Sequence, residues 1–337
     1  MFETNYSKFI NKLLKVKKKK NKFKVIDLFS GCGGLALGFE AAGFKTIGYE
    51  IDKIYCETYE KNLDSTCHNI DLKKGSVKET ADIIIGGPPC QPFSVGGKQK
   101  GIMDSRDGFP VFLDLIKNQK PKMFVLENVR GLLYQNKWYF EKILKFISNL
   151  GYKVNFELIN TSNYFVPQNR ERLFLVGHKN SYEFPTKQNT KITALDALGG
   201  YFNYAPKNSL YLTKSMDKYI KKYENASRCK NPRDLIKEKP SRTVTCRNLA
   251  GSTGDMMRIK LRNGKRRRIF VEEAARLQSF PDWFKFCGSN TNKFYQIGNA
   301  VPPLFSYQLA NSILEVLTRN KKEKKKNIFD KLIFDEK

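Results

Sequence analysis

The sequence predicts an α/β protein: a parallel sheet flanked by helices, with a second, smaller domain beside it. Two observations predict this. From Phe23 onward short β-rich runs alternate with helical stretches, and after Gly177 the alternation dissolves into a segment rich in Lys, Asn, Tyr and Arg that reaches about Arg268. Such alternation is the pattern of a parallel sheet. A chain of 337 residues, 40% hydrophobic and 13% aromatic, can bury one large core and one small one.

Taken in order, residues 1–22 form a basic, weakly amphipathic segment ending in KVKKKKNK, which reads as a solvated lead-in more readily than as a phosphate-binding arm. KVIDLF predicts a strand, LALGFEAAG a helix, KTIGYEI and DIIIGG two more strands, Val111 to Lys117 a helix, and KMFVLENV another strand. A helix near Tyr139 to Leu150 leads into KVNFELI and RLFLVG, two strand-like runs that complete the sheet around the loop NTSNYFVPQNRE. Regular patterning returns in VEEAARLQSF and in PPLFSYQLANSILEVL, an apolar helix whose best home is against the first sheet. The large domain is therefore expected to be discontinuous, with residues 23–180 and 286–320 in it, residues 181–285 in the small domain, and residues 321–337 as a charged, fraying tail.

The formal net charge of +28, from 61 Lys and Arg against 33 Asp and Glu, points to a polyanionic partner, nucleic acid or an anionic membrane. The abundance of Lys, Asn and Ile discounts this somewhat, since an AT-rich coding genome has the same effect. There is no apolar run of the roughly 18 residues that a membrane-spanning helix needs, and Lys17 to Lys20 are not followed by the apolar core of a signal peptide. A cytoplasmic protein is expected. Seven cysteines form no CxxC pair and only two histidines accompany them, so neither a metal site nor a disulfide framework is expected.

IDLFSGCGGLALGF places a strand, a glycine-rich turn at Gly31, Gly33 and Gly34, and a helix in succession, an arrangement that lets backbone approach a ligand closely. The spacing is FxGxGG rather than GxGxxG, and Glu50 closes the next strand, 19 residues after Gly31, where a carboxylate can grip ribose hydroxyls. Adenosine fits, pyrophosphate is not required, and a purely structural turn is the alternative. In IIIGGPPCQPFSVGGKQKG, Cys90 follows a buried strand in a stretch stiffened by Pro88, Pro89 and Pro92, before the loop glycines Gly96, Gly97 and Gly101. That makes a rigidly aimed thiol. The other cysteines, Cys32, Cys56, Cys67, Cys229, Cys246 and Cys287, read as small core hydrophobes.

PPCQPFS, LENV, QNRER, EEAARLQSFPDWF and YQIGNAVPP occur in that order, and with them the chain from Val25 to about Leu304 resembles the C5-cytosine-specific DNA methyltransferase family of the prokaryotic restriction-modification type. The resemblance implies a Rossmann-like S-adenosylmethionine-dependent methyltransferase sheet with a target-recognition domain. It implies that Cys90 is the nucleophile, that Glu127 hydrogen-bonds cytosine N3 and N4, that Arg172 meets cytosine O2 and that Arg170 supports the same site. For the cofactor, S-adenosylmethionine, it assigns Phe29 and Ile51 to the faces of adenine, Glu50 to the ribose, Asp71 to the adenine amino group, Gly31 and Gly33 to the methionine end, and Leu72, Pro89 and Asn299 to supporting contacts. Gln91 and Ser94 would lie on a loop that closes over DNA, with Arg106 at its far side.

The chemistry suits these residues. Carbon 5 of cytosine is a poor nucleophile until a thiolate adds to carbon 6 while a carboxyl stabilises or protonates N3. Glu127 then needs a raised pKa in a dry pocket, and Arg170 or Arg172 would help to populate the Cys90 thiolate. The resemblance further implies that the target base is flipped out of double-stranded DNA. Arg228, Arg233, Arg242, Arg247, Arg258 and Arg262 fall in the recognition segment, where they could read guanine edges or hold phosphates. KPSRTVTCRNLAGSTGDMMRIK reads equally as ordinary hairpins or as a base-contacting surface, and Lys265 to Arg268 read as phosphate contacts.

Three other readings stand beside this one. A transfer-RNA cytosine methyltransferase would share Cys90, Glu127 and the arginines, but the CFT tripeptide of that branch is missing. A catalytically dead DNA-binding relative would be expected to lack the nucleophile, and a dinucleotide oxidoreductase leaves PCQ, ENV and QNRER without a purpose. The resemblance also implies a partner restriction endonuclease encoded nearby but not stably bound; the sequence leaves the oligomeric state open, with a monomer as the default.

Overall fold

The structure is a computed structural model that describes residues 2–16, 21–89, 107–207, 209–226, 233–251 and 254–318. Its elements are α1 (Asn5–Leu13), β1 (Lys24–Leu28), α2 (Gly34–Ala41), β2 (Lys45–Glu50), α3 (Lys53–Asn62), β3 (Cys67–Asn69), β4 (Ile83–Gly86), α4 (Phe109–Gln119), β5 (Met123–Val129), α5 (Gly131–Tyr134), α6 (Lys137–Asn149), β6 (Lys153–Asn160) and β7 (Glu171–His178). There follow α7 (Ala194–Leu198), α8 (Lys214–Ala226), α9 (Cys246–Ala250), β8 (Arg258–Lys260), β9 (Arg266–Arg268), α10 (Val271–Leu277), α11 (Asn290–Asn299) and α12 (Pro303–Thr318).

The central sheet has the order β3-β2-β1-β4-β5-β7-β6. Strands β1 to β5 pair in parallel, with Val25 beside Thr46 on one flank and Ile83 on the other. The expectation of a parallel sheet needs one correction, because β7 is antiparallel to both neighbours, β5 and β6. The reason is connection length. Helix α6 carries the chain across the sheet from β5 to β6, whereas only residues 161–170 join β6 to β7, and a short link returns as an antiparallel neighbour.

Both faces of the sheet are covered. On one face Phe112, Ile116, Phe140, Ile143 and Ile147 pack on Ile26, Leu28, Ile84, Phe124 and Leu126. On the other, all eight residues of α2 are buried, and α12 lies so close that a Cβ on Gly38 would sit 2.3 Å from the Tyr307 backbone nitrogen. Glycine is required there for backbone contact between helices. The apolar helix predicted near the end of the chain thus does pack on the sheet domain.

The N-terminal segment is not a solvated lead-in. Tyr6, Phe9, Ile10 and Leu14 are buried, a stripe at helical spacing hidden among lysines in the sequence. Thr4 and Ser7 form a capping box at the start of α1. Asn11 accepts from Asp282 N at 2.7 Å, and its carbonyl accepts from Trp283 Nε1 at 3.2 Å. Lys17 to Lys20, and the tail expected at 321–337, lie outside the described residues.

The small, loop-rich segment shares its core with the sheet domain: Ile192, Tyr201, Val244, Leu249, Ile259, Ala274 and Leu277 belong to the same apolar cluster as Val25, Ile83 and Phe305. Its only hairpin among the described residues is β8–β9, and SRTVT is an extended lead into α9 rather than a strand. Of the cysteines, Cys32, Cys56 and Cys67 are buried as expected; Cys246 and Cys287 are only partly so, and Cys229 lies outside the described residues. Among the described residues no helix is long and apolar enough to cross a membrane, and no cluster of metal-ligating side chains occurs.

Candidate active site

The glycine-rich turn between β1 and α2 is built on left-handed backbone. Phe29, Gly31 and Gly33 have φ of 56°, 56° and 86°. Gly31 N–H donates to Glu50 Oε2 at 2.8 Å, and Asp52 N–H donates to Oε1 at 2.9 Å. Glu50 therefore fastens the turn to the end of β2. Burial raises its carboxyl above the usual range, while these backbone donors pull it down.

Two adjoining clefts open at the carboxyl ends of the parallel strands, where ligands bind in folds of this type. One, of about 840 Å³, is lined by Phe29, Glu50, Ile51, Asp71, Leu72 and Pro89 among others. The other, of about 700 Å³, shares Phe29, Glu50, Ile51 and Pro89 and adds Gly31, Glu127, Arg170, Arg172 and Asn299. Ile51 is an exposed apolar side chain at 65% accessibility, unusual unless a ligand covers it. Gly33 does not line either cleft. It caps α2, and a Cβ there would meet Leu63 and Tyr59 at 2.8 Å.

Glu127 is carried on β5 and Arg172 on β7, and the antiparallel register that pairs Val129 with Arg172 brings the two side chains together. Arg172 Nε lies 3.3 Å from Glu127 Oε1. Burial pushes the Glu127 carboxyl up, against the pull of Arg172 and Arg170. Such a group keeps its proton to higher pH than an exposed carboxyl does.

Arg170 faces the same cleft, and both of its Nη groups are engaged, while its buried Nε has no hydrogen-bond partner among the described residues. Nη1 donates to the Val244 carbonyl at 2.8 Å and Nη2 to the Gly298 carbonyl at 3.2 Å. It clamps three distant segments together and supports the site through them.

Sequence reasoning missed several residues. Asn128 Nδ2 donates to the Pro88 carbonyl at 2.9 Å, fixing the turn that leads to Cys90. A Cβ on Gly87 would sit 3.1 Å from Glu127 Oε2, so glycine there leaves the carboxyl its room. Asp27 and Gln296 also line the cleft, and among the described residues Asp27 Oδ2 and Gln296 Oε1 are buried without a hydrogen-bond partner. Two orphan acceptors suit a ligand that brings donors or positive charge. Gly87 beside β4, the Asn of ENV and Gln296 within YQIGNAVPP all stand in stretches that the sequence marked, but no local pattern gave them these roles.

Cys90, Gln91, Ser94 and Arg106, together with Arg228, lie outside the described residues. On either side of residues 90–106 the described chain is joined, Gly108 N–H donating to the Pro89 carbonyl at 3.1 Å. Of the recognition-segment arginines, Arg258 must be corrected: it is fully buried and bound by Glu224 at 2.8 Å and Asp234 at 2.6 Å, so it cannot reach DNA. The expected phosphate-binding run is likewise mostly committed. Arg267 is buried against Glu273 at 2.6 Å and Arg266 pairs with Asp217 and Asp234. Arg242 and Arg247 both lie near Asp255, and Arg262 is exposed.

Residues 23–315 match the profile of the family described as C-5 cytosine-specific DNA methylase. The chain is 51% identical over 292 residues to the Type II methyltransferase M.AplI of Arthrospira platensis, covering 86% of this chain and 85% of that protein. It is 35% identical to the Type II methyltransferase M.FnuDI of Fusobacterium nucleatum, over 93% of this chain and all of that protein. Among solved structures, the S. pombe Dnmt2 methyltransferase shares the fold, with a TM-score of 0.68 at 18% identity over 88% of this chain and 100% of that one. The Entamoeba histolytica methyltransferase EhMeth does so with a TM-score of 0.69 at 18% identity, over 89% of this chain and 100% of that one.

Proposed function

This chain belongs to the C-5 cytosine-specific DNA methylase family, and from that premise we propose that it is the Type II modification enzyme of a restriction-modification system, methylating carbon 5 of a cytosine flipped out of duplex DNA. The observation that carries the reading is the Glu127–Arg172 pair at 3.3 Å, set in a cleft continuous with the Glu50-fastened glycine turn. A raised carboxyl beside a guanidinium is what the N3 and O2 edge of cytosine requires.

S-adenosylmethionine fits the donor set of the cleft and, when bound, supplies an electrophilic methyl group on a sulfonium. Phe29 and Ile51 would hold the adenine faces, Asp71 its amino group, Glu50 the ribose hydroxyls, and Leu72, Pro89 and Asn299 the walls. The orphan acceptors of Asp27 and Gln296 complement the positive charge of the methionine end. Gly31 lets the backbone turn beneath it.

For the cytosine, Glu127 in its protonated form donates to N3, and Arg172 donates to O2. The Cys90 thiolate would give its electron pair to carbon 6, and the π pair of the 5,6 double bond would move to carbon 5, able to take the methyl group that S-adenosylmethionine would supply as its carbon–sulfur bond breaks and S-adenosylhomocysteine leaves. Loss of the carbon 5 proton to a base restores the double bond and expels the thiolate. Arg170 acts here as a positioning residue, since its two Nη groups donate to the Val244 and Gly298 carbonyls. The Type II methyltransferase names of the relatives support the modification role; the proposal adds a separately encoded endonuclease that cuts the same sequence without stable complex formation, and a cytoplasmic, monomeric enzyme.

Methylation-state sequencing of DNA incubated with the purified protein and S-adenosylmethionine tests the reading, beside a Cys90→Ser control. Carbon 5 methylation within one short motif, absent from the control, is the expected result. Methylated transfer RNA with unmodified DNA, or transfer to neither, would overturn it.

A further inference from the structure

Three guanidinium groups converge on one carboxylate in the small segment. Arg242 donates from Nη1 to Asp255 Oδ1 at 2.9 Å and from Nη2 to the Asp255 carbonyl. Arg233 Nε lies 3.6 Å from Oδ1 and Arg247 Nε lies 3.9 Å from Oδ2. Their exposure separates them: the Arg233 and Arg242 side chains are 27% and 26% accessible, that of Arg247 76%. Two arginines hold the carboxylate, and the third extends from it into solvent.

This group is fastened to the catalytic cleft. Asn169 N–H donates to the Ser241 carbonyl at 2.8 Å, Thr243 Oγ1 to the Asn169 carbonyl at 2.7 Å, and Arg170 to the Val244 carbonyl at 2.8 Å. Arg247 follows in the first turn of α9, whose start rests on the cleft-lining Gly298 so closely that a Cβ there would sit 2.3 Å from Cys246 N.

We propose that Arg247 reads a guanine edge within the recognition sequence, and that Asp255 is the positioning residue that aims it. The inference rests on the DNA-methylating function proposed above. A phosphate contact needs only positive charge, which three guanidinium groups around one carboxylate still supply, and it makes no demand on how the guanidinium is turned. Reading a base edge instead needs a planar fork held in one orientation toward the O6 and N7 acceptors. Asp255 sits at the Nε side of Arg247, and among the described residues no other ion pair engages this guanidinium. Both Nη groups of Arg247 are thereby left to face a base edge.

The test uses full-length protein, S-adenosylmethionine and duplexes randomised around a cytosine, read by methylation-state sequencing. The wild type should demand guanine at one position, and Arg247→Ala should weaken that demand about tenfold or more while leaving the other positions unchanged. Asp255→Asn should weaken the same position. Replacing that guanine by 7-deazaguanine, which lacks the N7 acceptor, should slow the wild type and have no further effect on Arg247→Ala. Because Asp255→Asn alters a part-buried cluster and could fail to fold, the Arg247→Ala and 7-deazaguanine results decide the matter alone. A motif without guanine, a motif unmoved by Arg247→Ala, or a uniform loss of binding with a salt slope shallower by about one would overturn the inference. A wild type that methylates cytosine in no duplex would overturn the proposed function as well; methylation with an unmoved motif sinks only the role of Arg247.

Discussion

Glu127 and Arg172 meet 3.3 Å apart across the antiparallel pairing of β5 with β7. Had β7 entered the sheet at its far edge, beyond β6, these side chains would not share a cleft. The pair therefore depends on the one departure from parallel order in the sheet.

Glu127→Gln should lower turnover by about 100-fold or more, the usual scale of a lost general acid, while leaving S-adenosylmethionine binding intact by calorimetry. The pH profile carries the sign. In the proposed mechanism protonated Glu127 is the active form, and burial raises its pKa, so wild-type turnover should fall as pH rises through that raised value. The residual rate of Glu127→Gln should lack this alkaline fall. A Gln variant with full activity would remove Glu127 from the mechanism.

Glu50→Ala should weaken S-adenosylmethionine binding about 10-fold to 100-fold, the range expected for hydrogen bonds to a charged group. The loss has two sources, the ribose contact and the freed Gly31 turn. Titration calorimetry measures it, and unchanged affinity would place the cofactor elsewhere.

Arg258→Ala should cost about 3–5 kcal/mol of stability, because the ion pairs that its fully buried guanidinium makes with Glu224 and Asp234 would be lost and only the part-exposed Arg266 would still face Asp234. Arg247→Ala, on an exposed side chain, should change stability by no more than about 0.5 kcal/mol. Urea denaturation of the two variants distinguishes a structural arginine from one reserved for DNA.

Ile10→Ala should destabilise the fold by about 2–5 kcal/mol, since Ile10 is fully buried in the main core. A neutral result would return residues 1–16 to the status of a dispensable lead-in.

Much of the fold was legible in the sequence because local conformation follows from local pattern. The β1 run, the glycine turn and the apolar α2 follow one another within residues 24–41, and the motifs around Glu127, Arg172 and Glu50 are contiguous words. The buried stripe of α1 was present too, but the lysines around it hid a period that only Asp282 and Trp283 reveal. What the sequence could not decide was which partner each charge would find. Arg258 and Arg247 look alike as letters, yet one is closed in by Glu224 and Asp234 and the other extends past Asp255 into solvent. Pattern along the chain specifies strands, turns and reactive words; the fate of a guanidinium depends on carboxylates and carbonyls brought to it from distant segments, and only the tertiary structure brings them.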